Sequence, residues 1–350
     1  MRDDAGAPHA AFSLTGARVG LPPDHDINRL GDRAAMGLPD ACVDTDLSSL
    51  RRECARLLGT STDALARIAE DPGHAFRTRF AAGLLLGLTG DPRISVFDPP
   101  MCDIPGGRYR LGLDRDAVDA VIAAFAAYGV RREWIEKETP AYTIALQAFR
   151  IGRYPVTHGE YHVFLQETGY PSLPSAWPFG VLPPGLANQP VHSVAAEDAD
   201  AYAAWLSRRT GRRFRLPAEA EWELAAAGPQ RFEYPWGPTY LPDRANTLEA
   251  GILAATPVGM FPLGASPFGC LDMAGNVEEY VADDYRPYGD GDAIRDDLHP
   301  AEGGYRIARG GSFTRYRDLA RCRRRHGAYR KPIYVMGFRL AEDVDSGPSG

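Results

Sequence analysis

Residues 306–330 read RIARGGSFTRYRDLARCRRRHGAYR, a segment that combines paired glycines with an unusual density of arginine. It holds nine arginines and one acidic residue, Asp318, whereas the whole chain of 350 residues carries a formal charge of −7. Affinity for nucleic acid rests on broad neutralisation of phosphates, so one basic segment on an acidic chain argues against a nucleic-acid partner. The paired glycines, Gly310 and Gly311, predict a sharp excursion of a strand that side chains would block.

The composition around this segment is that of an ordinary globular protein. Apolar residues make up 44% of the chain and charged residues 24%. No apolar run approaches the roughly 20 residues of a membrane helix, and the N-terminus lacks the pattern of a signal peptide. Five scattered cysteines without CxxC spacing indicate neither a disulfide framework nor a zinc site. We therefore expect a cytoplasmic, reduced protein with no membrane partner.

The texture of the sequence changes along the chain and predicts four regions. Residues 1–45 are rich in Gly, Pro and Asp, which predicts a loosely ordered N-terminal segment. Residues 46–97 contain three short amphipathic helices separated by breakers, typical of a HEAT-like helical repeat that packs on a protein partner. Residues 98–345 have short strands and many glycines and prolines, which predicts a loop-rich main domain, and a flexible tail is expected at 346–350.

Five pieces of the main domain, taken in order, carry a resemblance to one family. They are IPGGRYRLG from Ile104, FRIGRYPVTHGEY from Phe149, FRLPAEAEWELAAAG from Phe214, GCLDMAGNVEEYVADDY from Gly269, and RIARGGSF with the later GFRLAED from Arg306. This series resembles the sulfatase-modifying-factor family, which includes formylglycine-generating enzyme and the C-terminal domain of hercynine oxygenase. The resemblance implies an α+β fold related to C-type lectins, with a small twisted antiparallel sheet, a few helices and long ordered loops.

The resemblance also implies a structural calcium ion in the segment DMAGNVEEY. Two carboxylates and two backbone carbonyls match positions that hold calcium in formylglycine-generating enzyme: Asp272, Gly275, Val277 and Glu279. Hard oxygen ligands of this kind suit calcium. The alternative is a turn that Asn276 closes without a metal.

The known catalytic metal sites of the family do not carry over to this sequence. Formylglycine-generating enzyme binds copper through two cysteines after the GGS motif, and copper(I) needs both soft thiolates. Here those positions hold Arg315 and Ala320, and Cys322 lies two residues late. Hercynine oxygenase holds iron through three histidines of a separate N-terminal domain, and this N-terminal region has no HxxxH pair. We therefore predict that the protein does not generate formylglycine.

A rearranged site for iron or copper is a further hypothesis. Its candidate catalytic residues are His326, Cys322 and Tyr316, of which His326 suits acid–base chemistry. His158 and His162 stand at i, i+4 in a predicted helix, which would place both imidazoles on one side as ligands of a transition metal.

The resemblance places the arginine segment along the groove where family members bind substrate. In an extended segment alternate residues share a face, so one set of arginines would pair with internal carboxylates. The remaining arginines would form the walls of an anion-binding groove together with Tyr316 and Tyr329, and the leading candidates are Arg315, Arg317 and Arg324. Arginine binds carboxylate or phosphate through two parallel hydrogen bonds, so we expect an acidic small molecule or peptide as partner.

Two functions of different classes remain open. The first is a metal- and O2-dependent oxidoreductase that acts on an acidic small molecule or peptide, as the chemistry of the family implies. The second is a non-catalytic, lectin-like recognition module that binds a peptide or a protein partner, as the missing metal ligands favour. In either case the N-terminal helical region offers a second surface for a protein partner.

Overall fold

The computed structural model describes residues 14–15, 19–21, 27–298 and 304–344. Most of the first 26 residues and the tail expected at 346–350 lie outside the described residues. Of the segment expected to be loosely ordered, residues 27–45 are described and include a short helix, α1 (Asp32–Ala35).

Three helices follow where the apolar spacing predicts them. They are α2 (Leu47–Leu57), α3 (Thr62–Glu70) and α4 (Phe76–Thr89). The Asp46 side chain caps α2 by accepting a hydrogen bond from the Ser49 amide, and Ser61 caps α3 in the same way. Phe76 packs against Phe261 of the main domain, with 5.6 Å between ring centroids. The helical region therefore shares an apolar cluster with the main domain.

The main domain is built on three small sheets with ten short strands among the described residues. The strands are β1 (Met101–Ile104), β2 (Gly107–Leu111), β3 (Tyr142–Leu146), β4 (Phe149–Gly152), β5 (Phe214–Arg215), β6 (Glu278–Asp284), β7 (Arg306–Arg309), β8 (His326–Gly327), β9 (Met336–Phe338) and β10 (Ala341–Asp343). Their orders are β1-β4-β10-β5, β2-β3 and β8-β7-β6-β9. The β6–β9 pair is parallel and the other strand pairs are antiparallel.

Five further helices pack around these sheets. They are α5 (Val118–Phe125), α6 (Arg132–Glu136), α7 (His158–Thr168), α8 (Ala196–Thr210) and α9 (Glu219–Ala227). A glycine with positive φ ends each of the last three helices, as the sequence predicts. Trp222 of α9 is fully buried in the core. No helix in the described part of the chain is long and apolar enough to cross a membrane. The α+β class implied by the resemblance is confirmed.

The paired glycines set the course of the arginine segment. Gly310 and Gly311 have φ values of 93° and 66°, in the region that favours glycine. A Cβ atom on Gly311 would lie 2.9 Å from the amide nitrogen of Ala320, so a side chain does not fit there. The chain leaves the sheet after β7, runs through turns and returns as β8. The predicted excursion is therefore present, and it carries most of the arginines into the interior of the domain.

Candidate functional site

Most guanidinium groups of the arginine segment pair with internal carboxylates. Glu219 and Glu223 lie one turn apart on α9, and both contact Arg309 at 2.9–3.0 Å. Glu219 also accepts two hydrogen bonds of 2.8 Å from Arg325. These four side chains are buried, so the ion pairs must compensate each charge for the water that it loses on folding. The expected pairing of one set of arginines with internal acids is present here.

A second ionic cluster joins the segment to two distant glutamates that the sequence did not single out. Arg321 donates one hydrogen bond of 2.9 Å to each carboxylate oxygen of Glu138. Glu233 pairs with both Arg321 and Arg323. The segment is not extended here, since residues 317–323 form turns and a bend, yet Arg321, Arg323 and Arg325 all reach carboxylates.

Two arginines of the segment lie instead against a small cavity of about 30 Å³. We call it the arginine cavity, and eight of its lining residues come from the segment and the turn after β8: Thr314, Arg315, Tyr316, Asp318, Leu319, Arg324, His326 and Tyr334. Tyr128, Trp134 and Asp297 line it from elsewhere, and Asp297 accepts a hydrogen bond of 3.1 Å from the Trp134 indole. A free volume of this size holds one or two water molecules.

Among the described residues, the hydrogen-bond partners of Arg324 are backbone carbonyls and not carboxylates. Its side chain is buried, with 1% of the residue exposed. One terminal nitrogen donates to the backbone carbonyls of Trp134, at 3.2 Å, and of Arg325, at 2.9 Å. The Nε atom has no hydrogen-bond partner among the described residues. A buried guanidinium without a bound carboxylate is costly, so this group is ready to accept an anion.

Arg315, His326 and Glu278 form a connected chain at the cavity wall. A terminal nitrogen of Arg315 lies 3.3 Å from Nε2 of His326, and Nδ1 of His326 lies 2.6 Å from Oε2 of Glu278. Arginine can only donate, so Nε2 accepts and Nδ1 carries the proton that is donated to Glu278. Burial lowers the pKa of His326, although Glu278 partly opposes this effect, and the imidazole is therefore neutral.

Asp318 supplies a negative charge within the cavity itself. Burial raises the pKa of Asp318 to about 6, and the nearby guanidinium groups of Arg324 and Arg315 limit the increase. The carboxyl group therefore titrates close to neutral pH. Asp318 was noted in the sequence as the one acid among nine arginines, but that signal did not assign it to the site.

Residues 27–38, the covering segment, close the cavity from one side. Ile27, Asn28 and Ala35 contribute to its lining. The Tyr334 hydroxyl donates a hydrogen bond of 2.6 Å to Oδ1 of Asn28, and Lys331 donates to the carbonyl of Ile27 at 3.2 Å. Sequence analysis missed this contribution because the segment has little periodicity. The covering segment thus narrows the cavity on this side.

The structure brings together four of the predicted site residues: Arg315, Tyr316, Arg324 and His326. Arg317 lies outside the cavity, where it pairs with Glu249 at 3.1 Å. Tyr329 packs against Tyr334 with 5.8 Å between ring centroids and does not reach the cavity. These two side chains support the wall rather than line it.

Cys322 does not belong to the cavity. It is fully buried in an apolar cluster, and burial raises the pKa of its thiol far above the ordinary value. A cysteine that acts in the cavity needs a thiolate that faces the cavity, and Cys322 does not line it. The sequence-based hypothesis of a catalytic Cys322 therefore fails on burial, because the turn after Ala320 directs the thiol into the core.

One candidate calcium ligand, Glu279, is already paired with an arginine. Glu279 accepts hydrogen bonds of 2.6 Å and 2.7 Å from Arg339, and a further bond of 2.7 Å from the Trp222 indole. The guanidinium already neutralises this carboxylate, which calcium would need as a ligand. In the adjoining strand Phe338 is buried, and Arg339 anchors the carboxylate.

The turn of the DMAGNVEEY segment is closed by an amide. Oδ1 of Asn276 accepts hydrogen bonds from the Thr256 amide at 2.9 Å and from the Asn246 side chain at 3.2 Å. Asp272 accepts a bond of 2.7 Å from the Gly259 amide. With Glu279 paired to Arg339, the set of Asp272, Gly275, Val277 and Glu279 does not fit a calcium ion. The metal-free alternative matches this geometry.

His158 and His162 likewise do not fit a transition metal. Nδ1 of His158 accepts a hydrogen bond of 2.8 Å from the Trp177 indole, so Nε2 carries the proton. A metal-binding histidine needs the opposite arrangement, in which the second nitrogen donates to an acceptor. His162 packs edge-on against the same indole. In the described ranges, no group of three or more His, Cys, Asp or Glu side chains is placed to hold a metal ion.

Comparison with known proteins places this geometry in a family. The model of the sulfatase-modifying factor enzyme 1-like domain, FGE-sulfatase, matches residues 95–344. The hercynine oxygenase of Mycobacterium tuberculosis is 33% identical over 245 residues, which are 60% of this chain and 56% of that protein. The formylglycine-generating enzyme of the same organism is 30% identical over 251 residues, which are 54% of this chain and 75% of that protein.

A solved structure agrees with the sequence comparisons. PvdO from Pseudomonas aeruginosa aligns with a TM-score of 0.54 and 28% identity, and the match covers 72% of this chain and 97% of that one. The chain spans little more than half of the Mycobacterium tuberculosis hercynine oxygenase, so the activity of that whole protein does not transfer with the match. The matched range contains the arginine segment and its carboxylate partners, and the chain belongs to the sulfatase-modifying-factor family.

Proposed function

We propose that the arginine cavity binds the carboxylate of an acidic small molecule or peptide. The observation that carries this proposal is the buried Arg324 guanidinium, which contacts two backbone carbonyls and has a free Nε donor. A carboxylate facing this edge would accept two parallel hydrogen bonds and neutralise the buried charge.

Arg315 and His326 form the second half of the proposed binding site. Arg315 shares its carboxylate, Glu278, with His326, and the Arg315 Nε atom lies 3.8 Å from that carboxylate. This contact is long, so Arg315 retains capacity for a ligand oxygen. The neutral His326 adds no charge and holds the guanidinium in place from Nε2. A ligand carboxylate would therefore be held between two guanidinium groups.

Asp318 sets the condition under which the ligand binds. A charged Asp318 competes with a ligand carboxylate for Arg324 and Arg315 and repels it. Binding is therefore favoured when Asp318 takes up a proton or when its side chain turns away. We expect ligand binding to displace the covering segment as well, because the cavity of about 30 Å³ has room only for water.

The test compares Arg324→Gln with Arg317→Gln in the full chain. Both changes remove one arginine of the same segment, but Arg317 pairs with Glu249 outside the cavity. Isothermal titration with short dicarboxylic acids and acidic peptides selects the best ligand for the unchanged protein. Loss of a charge-assisted contact costs about 1.5–3 kcal/mol, so Arg324→Gln should weaken that ligand roughly ten- to a hundredfold. Equal affinity in a folded Arg324→Gln protein contradicts the proposal.

A metal- and O2-dependent oxidoreductase is the second candidate function. Its support is the similarity to proteins named hercynine oxygenase. Iron or copper would require ligands other than His158, His162 and Cys322. The hydrogen bonding of His158 and the burial of Cys322 do not fit a transition metal. Elemental analysis of the purified chain together with O2 uptake in the presence of the selected ligand tests this candidate. Stoichiometric iron or copper with ligand-dependent O2 uptake supports the enzyme.

A recognition module is the alternative if ligand binding occurs without metal or O2 uptake. Such a module would join an acidic ligand to a protein partner, and the N-terminal helical region is the proposed contact surface. Three leucines of that region are exposed: Leu47, Leu58 and Leu88. Exposed large apolar side chains in one region are compatible with an interaction site.

A further inference from the structure

Two cysteines outside the arginine cavity bring their thiols into contact. Cys102 lies on β1, an edge strand of its sheet, and Cys270 lies in the turn that precedes Leu271. The two thiols lie near enough for Cys270 to act as a donor toward the Cys102 sulfur, and the Cβ position of the neighbouring Gly269 lies 4.0 Å from that sulfur. Both residues belong to the same buried apolar cluster. Sequence spacing gave no indication of this pair, because 168 positions separate the two residues.

The turn around Cys270 is fixed by its own hydrogen bonds. The amide of Ser266 donates to the carbonyl of Cys270 at 2.9 Å, and the amide of Cys270 donates to the Ser266 hydroxyl at 3.3 Å. Gly269 has a φ value of 85°, a conformation that favours glycine. A Cβ atom on Gly269 would lie 4.0 Å from the Cys102 sulfur. The approach of the two thiols is therefore a property of the folded turn.

Two guanidinium groups lie beside the thiol pair. Arg153 donates to the carbonyl of Gly269 at 3.5 Å, and Arg339 donates to the carbonyl of Leu271 at 2.9 Å. The hydrogen bond from Cys270, together with the positive charges of Arg153 and Arg339, lowers the pKa of the Cys102 thiol to about 7, against the opposing effects of burial and of Asp103. Cys102 is thus the thiol of the pair that ionises first.

We propose that Cys102 and Cys270 form a reversible disulfide in exchange with a low-molecular-weight disulfide such as oxidised glutathione. The Cys102 thiolate attacks one sulfur of the small disulfide, and the other sulfur leaves as a thiolate. The Cys270 sulfur, having lost its proton, then attacks the Cys102 sulfur and expels the second thiolate. Two protein thiols are oxidised, one small disulfide is reduced to two thiols, and the two protons pass to the leaving sulfurs.

Access and burial assign different roles to the two residues. Cys102 is 9% exposed on an edge strand, whereas Cys270 is fully buried. Cys102 is therefore the more accessible of the two residues, and Cys270, whose thiol pKa is raised by its contact with Cys102 and by burial, acts only from within the fold. The bond would tie β1 to the turn before Asp272 and close a long loop of chain. A long loop closed in the unfolded state favours folding, so the oxidised protein should melt at a higher temperature.

The experiment treats the full chain with oxidised glutathione, quenches with acid, alkylates free thiols and maps the peptides by mass spectrometry. A linked pair of Cys102 and Cys270 peptides, reversed by reduced glutathione, is the expected result for the unchanged protein. In Cys270→Ser the mixed disulfide should remain on Cys102, because the resolving thiol is missing. Cys42→Ser is the matched control, since Cys42 is exposed and outside the pair, and it should still form the link.

Melting temperature of each variant before oxidation shows that the fold is kept. The oxidised unchanged protein should melt above its reduced form, and oxidised Cys270→Ser should not. Recovery of both Cys102 and Cys270 as alkylated thiols after full oxidation of Cys42 overturns the proposal. Stable glutathione on Cys102 of the unchanged protein, with Cys270 still alkylated, overturns it as well.

Discussion

Nδ1 of His326 donates a hydrogen bond of 2.6 Å to Oε2 of Glu278 at the wall of the arginine cavity. The bond fixes the tautomer of the imidazole and leaves Nε2 as an acceptor for Arg315. The Glu278 carboxylate, the His326 imidazole and the Arg315 guanidinium are therefore coupled. A change in the charge of Glu278 or Arg315 shifts the pKa of His326.

The first prediction concerns the protonation of His326. Burial lowers the pKa of its imidazole, so NMR of the ring should give a titration midpoint below the ordinary value of about 6.5. Glu278 raises the pKa of His326 against this effect. Glu278→Gln should therefore lower the midpoint further while keeping a hydrogen-bond acceptor. A midpoint that rises in Glu278→Gln contradicts the assigned coupling.

The second prediction concerns the pH dependence of ligand binding. Burial raises the pKa of Asp318 to about 6, so the free protein carries a competing carboxylate above that pH. Affinity for a carboxylate ligand should fall as pH rises through about 6, by up to roughly tenfold per pH unit. Asp318→Asn should bind more tightly near pH 7.5, a pH about one and a half units above that pKa, and show a flatter profile. Titration calorimetry of both proteins across this range is the measurement.

The same group has a defined effect on stability. Because the folded protein binds the Asp318 proton more tightly than the unfolded chain does, this group favours folding at low pH. Its contribution is lost as pH rises through about 6. Asp318→Asn should remove this part of the pH dependence of the melting temperature, and an unchanged profile counts against the raised pKa.

The third prediction separates an ion pair from a calcium site. Glu279→Ala leaves the buried Arg339 without its carboxylate, which costs about 3–5 kcal/mol for pairs of this kind. The fall in melting temperature should be the same in calcium and in chelator, because the partner is an arginine. A fall that appears only in calcium would restore the calcium hypothesis for Asp272, Gly275, Val277 and Glu279.

The fourth prediction contrasts a buried with a half-buried arginine of the segment. Arg325 contacts Glu219 twice and also donates to two backbone carbonyls, so Arg325→Ala should cost about 3–5 kcal/mol of unfolding free energy. Arg317→Ala should cost about 1 kcal/mol or less of unfolding free energy, because the Arg317 side chain is 32% exposed. Urea unfolding of the two alanine variants makes the comparison, and equal losses contradict the difference in burial.

The fifth prediction concerns the covering segment. Asn28→Ala removes the acceptor of the Tyr334 hydroxyl and the link from Asn28 to Asp297. The segment should open more often, so association with the carboxylate ligand should be faster while the melting temperature changes little. Stopped-flow measurement of the association rate in Asn28→Ala and in the unchanged protein tests this. An unchanged rate indicates that ligand entry does not depend on this contact.

The sequence predicted local features well because each has a local physical cause. The three helices of residues 46–97 and the excursion at Gly310 and Gly311 depend on neighbours within a few positions. The choice of Arg315, Arg324 and His326 also agrees with the cavity, through the resemblance to the family.

The partners of the arginines could not be predicted, because they depend on contacts across the fold. Glu138 reaches Arg321 over 183 positions, and no periodicity connects two residues so far apart. The same limit explains why Cys322 was predicted to be catalytic and why Arg317 was assigned to the groove. Residues 317–323 form turns and a bend instead of an extended strand, so alternation along the sequence does not decide which side chains face the cavity.

The ionic clusters around the arginine segment also restrict how this domain can be altered by design. Glu138, Glu219 and Glu233 come from three separate parts of the chain and meet only on the segment's guanidinium groups. A graft that replaces the segment alone would strand these carboxylates in the interior, at a cost that no surface change can compensate. New ligand specificity is therefore best sought by substituting Arg315, Asp318 and Arg324 one at a time. Arg321, Arg323 and Arg325 should be kept together with their paired glutamates.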